Sequence, residues 1–429
     1  MGTLQIGQSL LNLQFVDFMK HLFLLFLYCQ VFALCAHCQK KSVTRDYRGS
    51  VEREDGRLVV FDFTLVDSAG KKFAFIKNAD EKIRIDEVSV KGDSLLMQMP
   101  VFESQFKAVF DADGTINGQW IKGTATAAGF QNYRFMALPG KPRFESGAPP
   151  HSNISGRWAV TLVRPDSSNR PAVAEFNQKG SQLTGTMITP NSDYRFLEGV
   201  VRGDSMFLST FDGAHSYLFS AKINNDSTLS GGHYYAGFRG DEPFSAVKNS
   251  KAFIPEDLSA VYLKSGFEKL DFKFPDLDGK SVSIHDQRFA NKVVLVQLMG
   301  SWCPNCMDET AFLSKYYKAN RKRGIEVVSL AYENSTDFAR SQKSLRKFQQ
   351  RFMVDYPMLI TGVSVNDTLR TEKTLPQLTR IKAFPTSVLI DKKGKVRYIS
   401  AGFVGPGTGE HYREYIREFE HRVDGLLKE

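Results

Sequence analysis

Cysteine is scarce in this 429-residue chain, and most of it lies near the N-terminus. Three of the five cysteines, Cys29, Cys35 and Cys38, fall within the first 38 residues. A small secreted domain that relies on disulfides for stability carries several spaced pairs, and this sequence has no such set. The remaining pair, Cys303 and Cys306, forms an isolated Cys-x-x-Cys motif. We therefore expect this pair to carry out redox chemistry.

Metal ligands are also too few for a zinc site at this motif. A tetrahedral site needs two ligands beyond Cys303 and Cys306, and no second cysteine pair follows them. His411 and His421 are ten residues apart, which is the wrong spacing for the missing ligands. A structural disulfide is an alternative, although so short a loop would stabilise the fold little. The sequence thus indicates no metal and no cofactor.

Long apolar runs are nearly absent as well. One run, from Leu22 to Ala36, follows the basic start Met19-Lys20-His21 and ends in small residues. This order is typical of a secretory signal, so we expect residues 1–38 to be a signal region whose true start is Met19. A membrane anchor and a lipid attached at Cys38 are the alternatives. We predict an exported protein of the periplasm or cell envelope, which would be held at a membrane only if Cys38 is lipidated.

The chain carries a moderate excess of positive charge, with 56 basic and 47 acidic residues and a net charge of +9. Basic side chains along a helix are typical of a solvated surface. A nucleic-acid partner is not expected for an exported chain.

Residues 42–250 have few long helical patterns. Short runs such as Leu58–Leu65 alternate apolar and polar residues and are bounded by turn signals. This alternation predicts antiparallel strands joined by tight turns. The pattern also repeats, because the hexapeptide Val90–Leu95 recurs with small changes as Val201–Met206. We therefore expect an all-β region made of two related units.

The two predicted β repeats span residues 42–140 and 153–249, with a Pro- and Gly-rich link between them. We expect them to form a single barrel-like or sandwich-like module, since one repeat has residues for only about six to eight strands. Residues 250–266 then form a linker. Residues 267–429 differ in pattern and predict an α/β domain.

The Cys-x-x-Cys motif lies where a predicted strand, Val293–Met299, passes into a predicted helix. A thiolate at a helix N-terminus faces free N–H groups and the positive end of the helix dipole, which lower its pKa. Cys303 is thus expected to be the exposed nucleophile. Cys306, one turn later, can attack a mixed disulfide formed at Cys303. Pro304 lacks an N–H and fits the first helical turn.

The C-terminal domain resembles the thioredoxin fold, and specifically the TlpA/ResA group of exported thiol–disulfide oxidoreductases. The matching pieces are Phe274–Lys280 (FPDLDGK), Trp302–Cys306 (WCPNC), Glu309 and Phe384–Thr386 (FPT). They occur in the family's order and cover a little over a third of the chain. The resemblance therefore concerns residues 267–429 and leaves the β region unassigned.

This resemblance implies a set of functional properties. Pro385 is expected to be cis and to face the two cysteines, with Trp302 and Pro304 beside the substrate groove. A Cys303–Cys306 dithiol is expected to reduce disulfides of envelope proteins, apocytochromes among them, which would place the protein in cytochrome c maturation. A membrane electron donor would then restore the dithiol.

One position departs from the thioredoxins. Gln297 stands six residues before Cys303, where thioredoxins carry a buried aspartate that helps to deprotonate the second cysteine. An amide cannot act as this base. Glu309, one turn after Cys306, is the nearest candidate, and an acid at this place is typical of the group. We expect Glu309 to be catalytic, with an ordinary surface acid as the alternative.

Other functions are also compatible with parts of this sequence pattern. A dithiol oxidase or isomerase would use the same motif in another direction. A binding protein whose β module carries the biological role could keep the dithiol as a regulatory switch. A peroxidase is a further alternative, although the Trp-Cys-x-x-Cys context argues against it.

Overall fold

The computed structural model of the protein describes residues 42–126, 129–255, 258 and 260–429. The predicted signal region 1–38, with its cysteines and the proposed lipidation at Cys38, lies outside the described residues. Within the described part, no helix is both long enough and apolar enough to cross a membrane. The described residues fall into two compact units, one of residues 42–44 and 66–72 and the other drawn from residues 45–65 and 73–429, and the functional residues belong to the second unit.

The first repeat forms a sheet of nine strands with the order β4-β3-β2-β1-β9-β8-β7-β6-β5. The strands are β1 (Val43–Glu52), β2 (Leu58–Ser68), β3 (Lys71–Asn78), β4 (Glu81–Ile85), β5 (Glu87–Lys91), β6 (Ser94–Gln98), β7 (Ser104–Phe110), β8 (Ile116–Gly123) and β9 (Phe130–Pro139). Alternate residues of the predicted run point inward, so Phe61 and Phe63 pack with Phe106, Trp120 and Phe135 in the core. Phe211, which belongs to the second repeat, is also part of this aromatic core.

The second repeat closes into a barrel of eight consecutive antiparallel strands. They are β10 (Gly156–Val163), β11 (Asn169–Lys179), β12 (Gln182–Ile188), β13 (Leu197–Arg202), β14 (Ser205–Phe211), β15 (Ser216–Asn225), β16 (Thr228–Ala236) and β17 (Gly240–Lys248). Trp158, Leu162 and Phe176 are among the residues that form its apolar core. Strand β17 pairs with β10, which leaves the barrel without open edges.

The prediction of an all-β, barrel-like module made of two repeats is confirmed, and each repeat forms its own sheet within that module. The first repeat contains nine strands and the second eight, but their cores are joined, because Phe211 of β14 stacks on Phe61 within the core of the first repeat. The repeated hexapeptide forms the same kind of hairpin in both repeats. Val90 pairs with Leu95 in one hairpin, and Val201 pairs with Met206 in the equivalent hairpin of the barrel.

The C-terminal domain contains a short hairpin, β18 (Lys273–Pro275) and β19 (Ser281–Ser283), and a five-stranded sheet with the order β22-β21-β20-β23-β24. The sheet comprises β20 (Val293–Met299), β21 (Ile325–Ala331), β22 (Met358–Ile360), β23 (Thr386–Ile390) and β24 (Val396–Ala401). Strand β20 is parallel to β21 and antiparallel to β23. Every residue of β20 is buried, as expected for the continuous apolar run.

The helices of this domain flank the sheet. They are α1 (Pro304–Asn320), α2 (Phe338–Phe352), α3 (Arg370–Thr374) and α4 (Glu410–Lys428), with 3₁₀ turns at Arg321–Arg323 and Pro406–Thr408. Helix α1 follows β20 directly, which confirms the predicted strand-to-helix passage at the Cys-x-x-Cys motif. The preceding segment 250–266 is packed onto its neighbours in part, because Ala252 and Val261 are buried.

Candidate active site

The two cysteines of the motif form a disulfide at the start of helix α1. Cys303 is the N-cap residue, and its sulfur accepts a hydrogen bond from the backbone N–H of Cys306 at 3.2 Å. Pro304 occupies the first helical position, where a missing N–H costs nothing. A thiolate at Cys303 would thus meet a free N–H and the positive end of the helix dipole.

Burial of Cys303 corrects one expectation from the sequence. The residue was expected to be exposed, but it is only 4% exposed, and Cys306 is fully buried. Both cysteines belong to an apolar cluster that also contains Val101 and Phe102 of the first β repeat. This cluster therefore joins residues of the β region to the redox domain.

The loop that precedes β23 faces the disulfide. The carbonyl oxygen of Phe384 lies 3.6 Å from the sulfur of Cys303, and the Phe384–Pro385 peptide bond is cis. Trp302 packs edge-on against the ring of Phe384 and donates its indole N–H to the carbonyl oxygen of Tyr332 at 2.8 Å. The structure thus brings Trp302 and the Pro385 loop to the same side of the cysteine pair.

Glu309 is buried one turn after Cys306, which argues against the alternative of a surface acid. One carboxylate oxygen accepts a hydrogen bond from the side-chain amide of Gln297, and the other accepts one from the hydroxyl of Ser387, both at 2.8 Å. Burial raises the pKa of Glu309 to about 7, although the two hydrogen bonds oppose this shift. A carboxyl group with this pKa can exchange a proton near neutral pH.

The partners of Glu309 belong to a polar row across three central strands. Gln297 of β20 pairs in register with Ser329 of β21 and with Ser387 of β23. The hydroxyl of Ser329 donates to the amide oxygen of Gln297 at 2.8 Å, and the amide nitrogen contacts Thr310 as well as Glu309. Gln297 is therefore the residue that orients the carboxylate, a role the sequence analysis missed. A single polar residue within an apolar strand was the available signal.

A second buried acid, Glu333, was also missed. Its carboxylate accepts hydrogen bonds from the backbone N–H of Ser301 at 2.7 Å and from the hydroxyl of Ser301 at 2.6 Å. Burial raises the pKa of Glu333 to about 7. These bonds fix the backbone two residues before Cys303, so Glu333 positions the loop that carries the motif.

Comparisons with known proteins concern the C-terminal part of the chain. Residues 264–415 match the Redoxin family. The thiol-disulfide oxidoreductase ResA of Bacillus thuringiensis subsp. konkukian is 28% identical over 156 residues, which cover 36% of this chain and 79% of that protein. ResA of Geobacillus kaustophilus is 27% identical over 147 residues, which cover 34% of this chain and 75% of that protein.

Similar solved structures include a thiol-disulfide oxidoreductase from Bacteroides fragilis, 17% identical with a TM-score of 0.26, covering 35% of this chain and 99% of that chain. A DsbF homologue from Corynebacterium diphtheriae is 17% identical with a TM-score of 0.29, covering 39% of this chain and 97% of that chain.

The C-terminal domain is a thioredoxin-like oxidoreductase domain, similar to the thiol-disulfide oxidoreductase ResA. This confirms the resemblance drawn from the sequence and the expected fold of the domain. The Redoxin match begins at residue 264, after both β repeats.

Proposed function

We propose that the protein is a thiol–disulfide oxidoreductase that works through a Cys303/Cys306 dithiol. The thiolate of Cys303 attacks one sulfur of a substrate disulfide, the substrate S–S bond breaks, and a mixed disulfide forms while one substrate thiolate leaves. Cys306, once deprotonated, attacks the sulfur of Cys303 and releases the second substrate thiolate. The substrate has then gained two electrons, and the protein holds the Cys303–Cys306 disulfide.

The observation that carries this proposal is the position of Cys303 as the N-cap of helix α1. Its sulfur receives the Cys306 N–H and faces the loop of Pro385. A sulfur in this place is stabilised as a thiolate, whereas Cys306, inside the first turn, is fully buried. We infer that Trp302, Pro304 and Pro385 border the substrate groove and that Glu309 serves as the base for Cys306.

We further infer the reductive direction, with disulfides of exported proteins as substrates. The signal region expected at residues 1–38 supports a location in the periplasm or cell envelope. Regeneration of the dithiol then requires an external dithiol donor, for which a membrane protein is the proposed source. We also propose the domain boundaries 42–140, 153–249, 250–266 and 267–429, which follow from the repeat and the composition shift.

The two cysteines should differ in acidity. We expect Cys303 to titrate below the pKa of about 8.5 of a free thiol, because the N–H of Cys306 and the helix dipole stabilise its thiolate. We expect no such lowering for Cys306, because burial disfavours its charged form. Rates of iodoacetamide alkylation against pH, measured in Cys306→Ser and Cys303→Ser, separate the two groups. Faster reaction of Cys306 would reverse the assignment of nucleophile and resolving cysteine.

The reduction potential distinguishes the proposed reductase from a dithiol oxidase. A dithiol protein is a strong oxidant when its reduced form, with a thiolate at the first cysteine, is stabilised. The Pro304-Asn305 dipeptide between the two cysteines contains no histidine that could stabilise the Cys303 thiolate further. We expect a potential closer to about −270 mV, as in thioredoxin, than to about −120 mV, as in DsbA. Equilibration in glutathione buffers, with thioredoxin as the reference protein, measures it. A value near that of DsbA would favour the oxidase alternative.

A further inference from the structure

The hairpin between β6 and β7 extends from the first β repeat to the redox domain. Val101 and Phe102 lie at its tip, and Phe102 is only 6% exposed. Both belong to the apolar cluster of the redox domain that contains Cys303, whereas Met99, at the base of the hairpin, belongs to the core of the first repeat. The tip of this hairpin is therefore packed into the apolar cluster of the redox domain.

The backbone of Phe102 has an uncommon conformation. Its φ is +67°, a left-handed value that a bulky side chain seldom adopts unless the surrounding structure imposes it. The flanking residues are fixed, since Glu103 O accepts the N–H of Gly123 and the hydroxyl of Ser104 accepts the indole N–H of Trp120 at 2.9 Å. The hairpin thus presents Phe102 in one defined orientation.

An ion pair attaches the hairpin to helix α2. Arg340 donates two hydrogen bonds, at 2.8 and 2.7 Å, to the two carboxylate oxygens of Glu103. The same guanidinium donates to the carbonyl oxygen of Gly129 at 3.1 Å. Because two hydrogen bonds join the guanidinium to the carboxylate, the two side chains are held in one relative orientation. Both side chains keep some solvent exposure, so the pair contributes little to overall stability and can open without unfolding either domain.

The barrel makes a deeper contact beside the cysteines. The carbonyl oxygen of Asp193 accepts the side-chain amide of Asn305, the residue between Pro304 and Cys306, at 3.1 Å. Arg195, only 3% exposed, donates to both carboxylate oxygens of Asp308 at 2.8 and 3.0 Å. Two further acids, Glu81 and Asp212, complete its surroundings. A buried charge network of this kind fixes one relative arrangement of the barrel and helix α1.

We propose that the hairpin tip Val101–Phe102 is a cap over Cys303 that selects substrates by size. Small thiols and disulfides reach the sulfur through local fluctuations of the tip. A protein disulfide reaches it only when the tip is displaced, while the Arg195 contact keeps the barrel in place. Phe102 is thus a specificity-determining residue of the redox site. This role rests on the proposed function of Cys303 as the nucleophile.

The cap can be tested on the full-length reduced protein with two maleimides of different size. N-ethylmaleimide and a polyethylene-glycol maleimide carry the same reactive group, so the ratio of their rates reports access and not thiol acidity. Peptide mass analysis identifies the labelled cysteine. Phe102→Ala should raise the ratio of large-reagent to small-reagent rate at Cys303 by roughly tenfold or more, because truncating a packed aromatic shifts a local opening equilibrium by at least that factor.

Two further variants make the test decisive. Arg340→Gln removes the ion pair with Glu103 without creating a core cavity, and it should raise the same ratio even if Phe102→Ala folds poorly. Phe253→Ala replaces a phenylalanine that is 74% exposed and should leave the ratio unchanged. Equal rates of the two reagents in the unmodified protein would overturn the cap, as would an unchanged ratio in folded Phe102→Ala. Labelling that begins at Cys306 would instead overturn the proposed function.

Discussion

Cys306→Ser should stop turnover and accumulate one mixed disulfide per protein molecule. The serine hydroxyl cannot displace the substrate from Cys303, yet the first exchange needs only the Cys303 thiolate at the helix N-terminus. Cys303→Ser should abolish both steps, because no other thiolate has a comparable position in the described structure. Together the two variants separate attack from resolution, and the expected effect is the complete loss of catalysis.

A small aromatic disulfide is a suitable substrate, since the thiol it releases is coloured and its size limits any effect of the hairpin over the site. Mass spectrometry of the quenched Cys306→Ser reaction should place the adduct on the peptide that contains Cys303. Continued turnover by Cys306→Ser would show that another group resolves the intermediate. Full biological function in Cys303→Ser would favour a binding protein in which the dithiol is only a regulatory switch.

The sequence predicted the redox domain well because its signals are local. The apolar run Val293–Met299, the following Cys-x-x-Cys motif and the helix after it are consecutive in the chain. Their physical consequences, a buried strand and an N-terminal thiolate position, depend on few distant residues. Helix α1 begins at Pro304, as the motif predicts.

The contacts that surround the site depend instead on strand register and domain docking. Gln297 looked like the loss of a base, but register places it between Ser329 and Ser387, where its amide holds Glu309. This arrangement could be suspected only from the rare polar residues in apolar strands.

Burial of Cys303 could not be predicted in the same way. The apolar cluster that contains Cys303 also includes Phe102, about two hundred residues away in sequence, and no local pattern indicates which surface a hairpin tip will cover. The closure of the barrel could not be predicted from the sequence for a related reason. Sequence alternation predicts strands and their inward faces, but the closure of eight strands on themselves is decided by pairing between β10 and β17.

Glu309→Gln should slow resolution of the mixed disulfide and leave the first attack by Cys303 almost unchanged. Resolution requires a proton to leave the buried Cys306, and the carboxylate one turn later can accept it directly or through water. Glutamine preserves the shape of the side chain and removes the base. Loss of a positioned acid or base costs roughly 10²-fold or more in rate. Glu420→Gln, at an exposed position of helix α4, is the matched control for the change of charge.

The raised pKa of Glu309 determines how the resolution rate should change with pH. Burial raises the pKa of Glu309 to about 7, so the carboxylate form, which is the base, is populated above that pH and lost below it. The resolution rate of the unmodified protein should therefore rise between pH 6 and 7 and level off above pH 7. In Glu309→Gln the rate should keep rising past the pKa of a free thiol, about 8.5, because only hydroxide or water then deprotonates the buried Cys306.

The two rates should differ most at and below pH 7 and converge at higher pH. Stopped-flow reduction of a disulfide substrate resolves attack and resolution as separate phases. Equal resolution rates in both forms from pH 6 to 8 would leave Glu309 a buried structural acid and assign the proton of Cys306 to another acceptor. A fall in the attack rate instead would mean that the substitution disturbs the N-terminus of helix α1, so unchanged alkylation of Cys303 is the required control.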